Sequence, residues 1–107
     1  MEMLYPIFSR NNFNLRKETT KAAEFTNDET KEIIYLVPTK KEISIILNPE
    51  IVDKKAILRA DKKFHSTALT QFPKEMHTGA APIHYGYSFK FANESELDSF
   101  LYSFNRI

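Results

Sequence analysis

The chain has 107 residues, 15 basic and 14 acidic side chains, and a formal charge of +1. That length holds one hydrophobic core, so residues 1–107 read as a single domain. The charge balance argues against a dedicated nucleic-acid binder, which carries a strong basic excess. Cysteine is absent, which excludes disulfides, thiolate catalysis and Cys-based zinc sites and points to the cytoplasm. Neither a signal peptide nor an apolar run of the ~20 residues a bilayer requires is visible, so no membrane association is expected.

Leu4, Ile7 and Phe8 stand at i, i+3 and i+4, the spacing of a short amphipathic helix. Pro6 is tolerated in its first turn. Asn11-Asn12 ends it, because Asn accepts the left-handed conformation. Residues 14–25 read as a strand, a turn near Thr20-Lys21 and a second short strand. Thr26-Asn27-Asp28-Glu29 has loop composition.

Ile33-Ile34-Tyr35-Leu36-Val37 and Ile43-Ser44-Ile45-Ile46-Leu47 are two β-branched apolar runs around Pro38–Glu42, a hairpin pattern. With apolar residues on both faces, the pair is expected at the centre of a sheet. Residues 54–59 fit a short helix or an edge segment. Phe64, Ala68, Leu69 and Phe72 favour a helical turn, and 73–82 reads as a surface loop.

The last quarter has the clearest pattern. Ile83, Tyr85, Tyr87, Phe89 and Phe91 alternate with polar or small residues, which predicts a strand. Asn93 and Glu96 are spaced as a helix cap. Leu97, Phe100, Leu101 and Phe104 then form one apolar helix face. The fold expected is α+β: an antiparallel sheet of about four to five strands with N- and C-terminal helices packed on it. The C-terminal helix should bury its apolar face against some of Tyr35, Val37, Ile45, Tyr87 and Phe89.

In order along the chain come Asn12-Phe13, Leu47-Asn48-Pro49, Gln71-Phe72-Pro73, His84-Tyr85-Gly86 and an acidic-started helix with Leu97 and Leu101. Over roughly residues 4–104 this set resembles the YgaC-type small proteins of enteric bacteria, an uncharacterised α+β family. Asn12 stands where the family pattern has glycine, and the basic 53–63 region is not a family hallmark. The resemblance implies a cytoplasmic single domain with a sheet flanked by helices, and it brings no assigned reaction or catalytic residue.

The histidines are His65, His77 and His84, and their spacing matches no metal motif. His84 and Gly86 share a strand face beside the Gly79–Pro82 loop. A general base at His84 would need a partner such as Asp61, Glu75 or Ser66. No serine sits in a nucleophile elbow, and no glycine loop can cradle a phosphate. No cofactor or metal is therefore expected, and no enzymatic activity. Charge is uneven: Lys54, Lys55, Arg59, Lys62 and Lys63 cluster at 53–63, whereas the first thirty-two residues carry Glu2, Glu18, Glu24, Asp28, Glu29 and Glu32.

The reading that follows is a small non-enzymatic cytosolic protein that binds another protein. An immunity or antitoxin-type inhibitor covering a toxin's or enzyme's active site is its concrete form. Contact is expected at Lys54, Lys55, Arg59, Lys62, Lys63, His65, His77 and His84. The alternative is a nucleic-acid-binding module using residues 53–65, where Phe64 beside bases could stack a nucleobase.

Overall fold

The computed structural model describes residues 1–55, 62–77, 79 and 81–107. Among these the strands are β1 (Phe13–Glu18), β2 (Ala23–Asn27), β3 (Ile33–Val37), β4 (Ile43–Leu47), β5 (Lys62–His65), β6 (Lys74–Met76) and β7 (Pro82–Phe91). The α-helices are α1 (Tyr5–Ser9), α2 (Pro49–Lys54) and α3 (Glu94–Phe104), and a 3₁₀ turn at Glu2–Leu4 precedes α1. All strand pairs are antiparallel, in the order β1-β2-β3-β4-β7-β5, with β6 also on β7. The α+β class is as expected, but the sheet has seven strands rather than the four or five expected. The extra strands are β5 and β6, in segments whose sequence pattern favours a helical turn and a loop. They hold only four and three residues, mostly polar, and pairing with β7 rather than local pattern makes them strands.

The β3–β4 hairpin spans the two apolar runs residue for residue. Its strands lie centrally because both of their faces are covered. β7 is ten residues long and holds the sheet's far end together. Its Tyr87–Phe91 half pairs with β4, and Tyr85–Ser88 pairs with β5. The Tyr85 N–H donates to the Pro73 carbonyl, while the Ser66 N–H donates to the His84 carbonyl. Neighbouring residues of a strand bond in opposite directions, so β6 continues the β4 edge while β5 occupies the other.

One sheet face is covered by helices. Phe13, Phe25, Ile34, Leu36, Ile45, Leu47 and Phe89 meet Ile7 and Phe8 of α1, Val52 of α2, and Leu97, Leu101 and Phe104 of α3 in one buried cluster. α1 stops at Asn11-Asn12 as expected, with Asn12 at φ 69°. Asn93 caps α3 by accepting from the Glu96 N–H at 2.9 Å, and the Glu96 carboxylate reaches back to the Ala92 N–H at 3.1 Å.

Two details of the expected helix packing are corrected. Tyr35 and Val37 lie on the opposite face from α3, because their neighbours Ile34 and Leu36 take the helix side and strand residues alternate. Phe100 is only half-buried. It sits at the rim of the cluster with its ring 5.6 Å from Phe89 and 5.2 Å from Phe91.

Among the described residues, the second face is covered by the 66–72 segment. Leu69 and Phe72 pack there against Tyr35, Val37, Ile46 and Ala22. A buried polar contact fixes this cover. Tyr35 Oη donates to Glu24 Oε1 at 2.7 Å and accepts from the Gln71 N–H at 3.1 Å. Burial, reinforced by the Glu24 carboxylate, pushes the Tyr35 hydroxyl up to about 12. Gly86 makes the fit possible: a Cβ there would stand 2.5 Å from Ile46 Cγ2, 2.7 Å from the Leu47 carbonyl and 3.0 Å from the Phe72 ring. No described helix is long and apolar enough to cross a membrane.

Candidate functional site

The 66–72 segment covers only part of the second face, and beside it the described residues line a groove of about 690 Å³. Cross-strand register explains its shape. Val37, Ser44 and Lys90 form one row across β3, β4 and β7. Ile46, Ser88 and Lys62 form the next across β4, β7 and β5. Ser44 and Ser88 are therefore diagonal neighbours. Their short side chains form a floor between taller walls at Val37 and Pro38 on one side and Phe64 on the other. Both serines are almost fully buried, 4% and 1% exposed, and the Ser88 hydroxyl donates to the Lys62 carbonyl at 3.2 Å.

The groove's chemistry is one-sided. Lys21, Lys62 and Lys90 line it together with serine and threonine hydroxyls, and no Asp or Glu does so among the described residues. Lys21 comes from the turn between β1 and β2, Lys62 from the edge strand, and Lys90 from β7. Lys21 and Lys62 make no ion pair with any described residue. Such a surface offers ammonium groups beside hydroxyl donors and apolar walls.

Two histidines meet at the groove's end. His65 and His77 line it, and their rings stack at 3.9 Å with planes 15° apart. Imidazole lone pairs lie in the ring plane, so parallel stacked rings do not converge on a common metal. Among the described residues no group of three or more His, Asp or Glu side chains is placed to hold a metal ion. Glu75 instead bridges His65 Nε2 at 2.8 Å and Lys63 Nζ at 3.2 Å. The His65 hydrogen bond, followed by Lys63, holds the Glu75 carboxyl below the usual range, and Glu75 raises Lys63 in return.

His84 is apart from this pair. Its Nδ1 lies 2.7 Å from the Phe72 carbonyl, which ties it to the cover segment. Of the partners considered for a general base at His84, Glu75 is engaged by His65, Ser66 meets His84 through backbone, and Asp61 lies outside the described residues.

The basic segment is dispersed by the fold. Lys55 is nearly buried, its side chain 12% exposed, and it pairs with Glu32 at 3.5 Å. It also donates to the carbonyls of Phe104 and Ile107, which makes it a clamp between α2 and the end of α3. Lys54 is exposed at the end of α2. Lys62 and Lys63 are consecutive in β5 and point to opposite faces. Lys63 lies over the Tyr85 ring at 5.3 Å. Arg59 lies outside the described residues.

Of the contact residues expected, Lys62, His65 and His77 come together at the groove. Sequence reasoning missed Lys21, Val37, Ser44, Ser88 and Lys90 as site residues. A trace of the site was readable at Ser44, which interrupts a strand that is otherwise apolar, and a buried polar residue is the informative exception; Ser88 carries no such mark, because it is one of the polar or small residues that alternate through β7. No family model matches the chain, and no curated protein matches it.

Proposed function

We propose that the chain is a non-enzymatic cytosolic binding module whose partner is another protein, and that it engages an acidic part of that partner through the groove on the loop-covered face. One observation carries the reading: the groove is lined by lysines, histidines, hydroxyls and apolar side chains, with no carboxylate among the described residues. Charge of one sign in a concave site steers an oppositely charged partner and fixes its register. A partner whose active site is covered in this way is inhibited, which is the immunity or antitoxin-type form of the reading. Nucleic acid is supported less, because Lys55 is spent on Glu32 and the α3 carboxyl end while Lys62 and Lys63 face apart.

The test is recovery of the partner from the native host with the tagged chain at native levels. A protein should co-purify with the wild type and with Lys54→Glu, and should be lost with Lys21→Glu and with Lys62→Glu. Recovery indifferent to the groove substitutions, or abolished by nuclease treatment, overturns the reading.

A further inference from the structure

We infer that the groove takes one short extended segment of the partner, with an acidic residue between two apolar residues at alternate positions: apolar–x–acidic–x–apolar. This rests on the protein-binding reading above and specifies what the groove accepts.

The layout of the groove sets the pattern. Apolar walls stand at opposite corners, Val37 in β3 and Phe64 in β5, and the cations and hydroxyls lie between them. Register puts these corners three strand spacings and two residue pairs apart. With strands about 4.8 Å apart and like-facing residues about 6.7 Å apart, the diagonal is about 20 Å. Five extended residues span about 13 Å between their first and last Cα atoms, and their terminal side chains reach the remainder. In an extended segment positions 1, 3 and 5 face the same way. The outer two then meet Val37 and Phe64, and the middle one falls on the row of Ser88, with Ser44 in the next row. There Lys62 and Lys90 flank the floor, paired in register with Ser88 and Ser44 respectively.

A carboxylate suits that middle position better than any neutral group. Ammonium–carboxylate hydrogen bonds are the strong ones. A basic residue would meet Lys62 and is rejected. Positions 2 and 4 face solvent and carry no selectivity.

The probe is the capped peptide acetyl-Leu-Ser-Asp-Ser-Leu-amide, titrated into the 15N-labelled full chain and followed by backbone amide shifts. Shifts are expected at Val37, Ser44, Phe64 and Ser88. Binding should weaken about ten-fold or more for the Asp→Asn peptide, for the peptide with both Leu replaced by Ala, and for Lys62→Glu protein. Thermal melts of Lys62→Glu should match the wild type, since Lys62 is exposed on an edge strand. Equal affinity for the Asp and Asn peptides, or shifts confined to another face, overturns the inference. So does a silent peptide when oligo-dT or decanoate moves the same amides. If the peptide is silent while a host protein is still lost on Lys21→Glu or Lys62→Glu, the segment pattern fails and the protein-binding reading stands. If the peptide binds as expected but no host protein depends on the groove, the pattern stands and the reading above fails.

Discussion

On the helix-covered face, Phe8 and Phe25 stack at 4.1 Å and Phe13, Leu97, Leu101 and Phe104 are buried to 1% or less. On the other face, Leu69 and Phe72 cover Tyr35 and Ile46, and beyond them the strands present Ser44, Ser88 and lysines to an open groove. The same strands supply both faces, so the difference is one of cover. Two terminal helices and α2 close the first face against water and give the domain its main hydrophobic stabilisation. Among the described residues one loop closes part of the second, which leaves a concave surface that is rigid beneath because the first face is so well packed.

This contrast breaks first at Phe104. Its ring is 1% exposed and packs against Phe13 and Phe100. Phe104→Ala should cost about 3–5 kcal/mol through lost burial and an unfilled cavity. For a domain of this size that lowers Tm by more than about 12 °C. Phe100→Ala, at the rim of the same cluster, should cost visibly less. Equal losses for the two would contradict the depth assigned to each.

Gly86→Ala tests the loop-covered face. The new methyl meets Ile46 and the Leu47 carbonyl, and strand backbone cannot step aside as a flexible side-chain end could. The expected cost is about 2–3 kcal/mol. Amide shifts should change in the 66–72 cover and around Ile46 while those of α1 and α3 stay in place. Changes spread evenly through both faces would show that the faces are not separable.

Tyr35→Phe acts on the same cover by another route. It removes the hydroxyl that serves both Glu24 and the Gln71 N–H, and leaves the nearly buried Glu24 carboxylate short of a donor. About 1–3 kcal/mol is expected at neutral pH. The hydroxyl's folded pKa, about 12, lies above its ordinary 10.0. The folded state therefore holds this proton more tightly than the unfolded state. That contribution is complete below pH 10.0 and is lost as pH rises through about 12. Two pKa units amount to about 2–3 kcal/mol. Tyr5, hydrogen-bonded to Glu18 and also raised to about 12, adds to the same alkaline limb. Stability measured by denaturant between pH 9 and 12 should fall less steeply for Tyr35→Phe than for the wild type. An unchanged slope would remove the hydroxyl from the account.

Much of this architecture was written in local pattern. The hairpin Ile33–Val37 and Ile43–Leu47, the alternation through β7, and the Asn93 cap of α3 each follow from short-range preference that packing then agreed with. β5 and β6 were illegible because Lys62–His65 and Lys74–Met76 have no apolar alternation of their own. They exist because β7 runs past the end of β4 and offers unpaired backbone on both edges. The face chosen by Tyr35 was also unreadable. Ile34, Tyr35, Leu36 and Val37 are apolar throughout, and a run without alternation does not say which set meets the helices. The groove is less legible still. Ser44, Lys62 and Ser88 stand far apart in sequence and meet only through the register of β4, β7 and β5, and Lys21 joins them from the β1–β2 turn. The cluster at 53–63 looked like one basic patch, and the fold sends Lys55, Lys62 and Lys63 to three different environments.

The smallest stability effect belongs to the residue with the largest expected binding effect. Lys62 is exposed, makes no ion pair among the described residues, and sits at the end of its row on the edge of the sheet. Substitutions at such positions stay within about 0.5 kcal/mol, so Lys62→Glu should leave Tm within about 4 °C of the wild type. Its effect on the groove is disproportionate, because it replaces an attracting charge by a repelling one beside Ser88. Lys55→Ala supplies the opposite case on the helix-covered side. It should destabilise by about 1–3 kcal/mol by stranding the partly buried Glu32 carboxylate and the carbonyl of Phe104, yet leave groove binding intact. A double dissociation between these two lysines, read by melts and by peptide titration on the same samples, separates the charge that holds the fold from the charge that meets a partner. If Lys62→Glu melts early or Lys55→Ala loses the peptide, the division of labour between the two faces is not the one drawn from their cover.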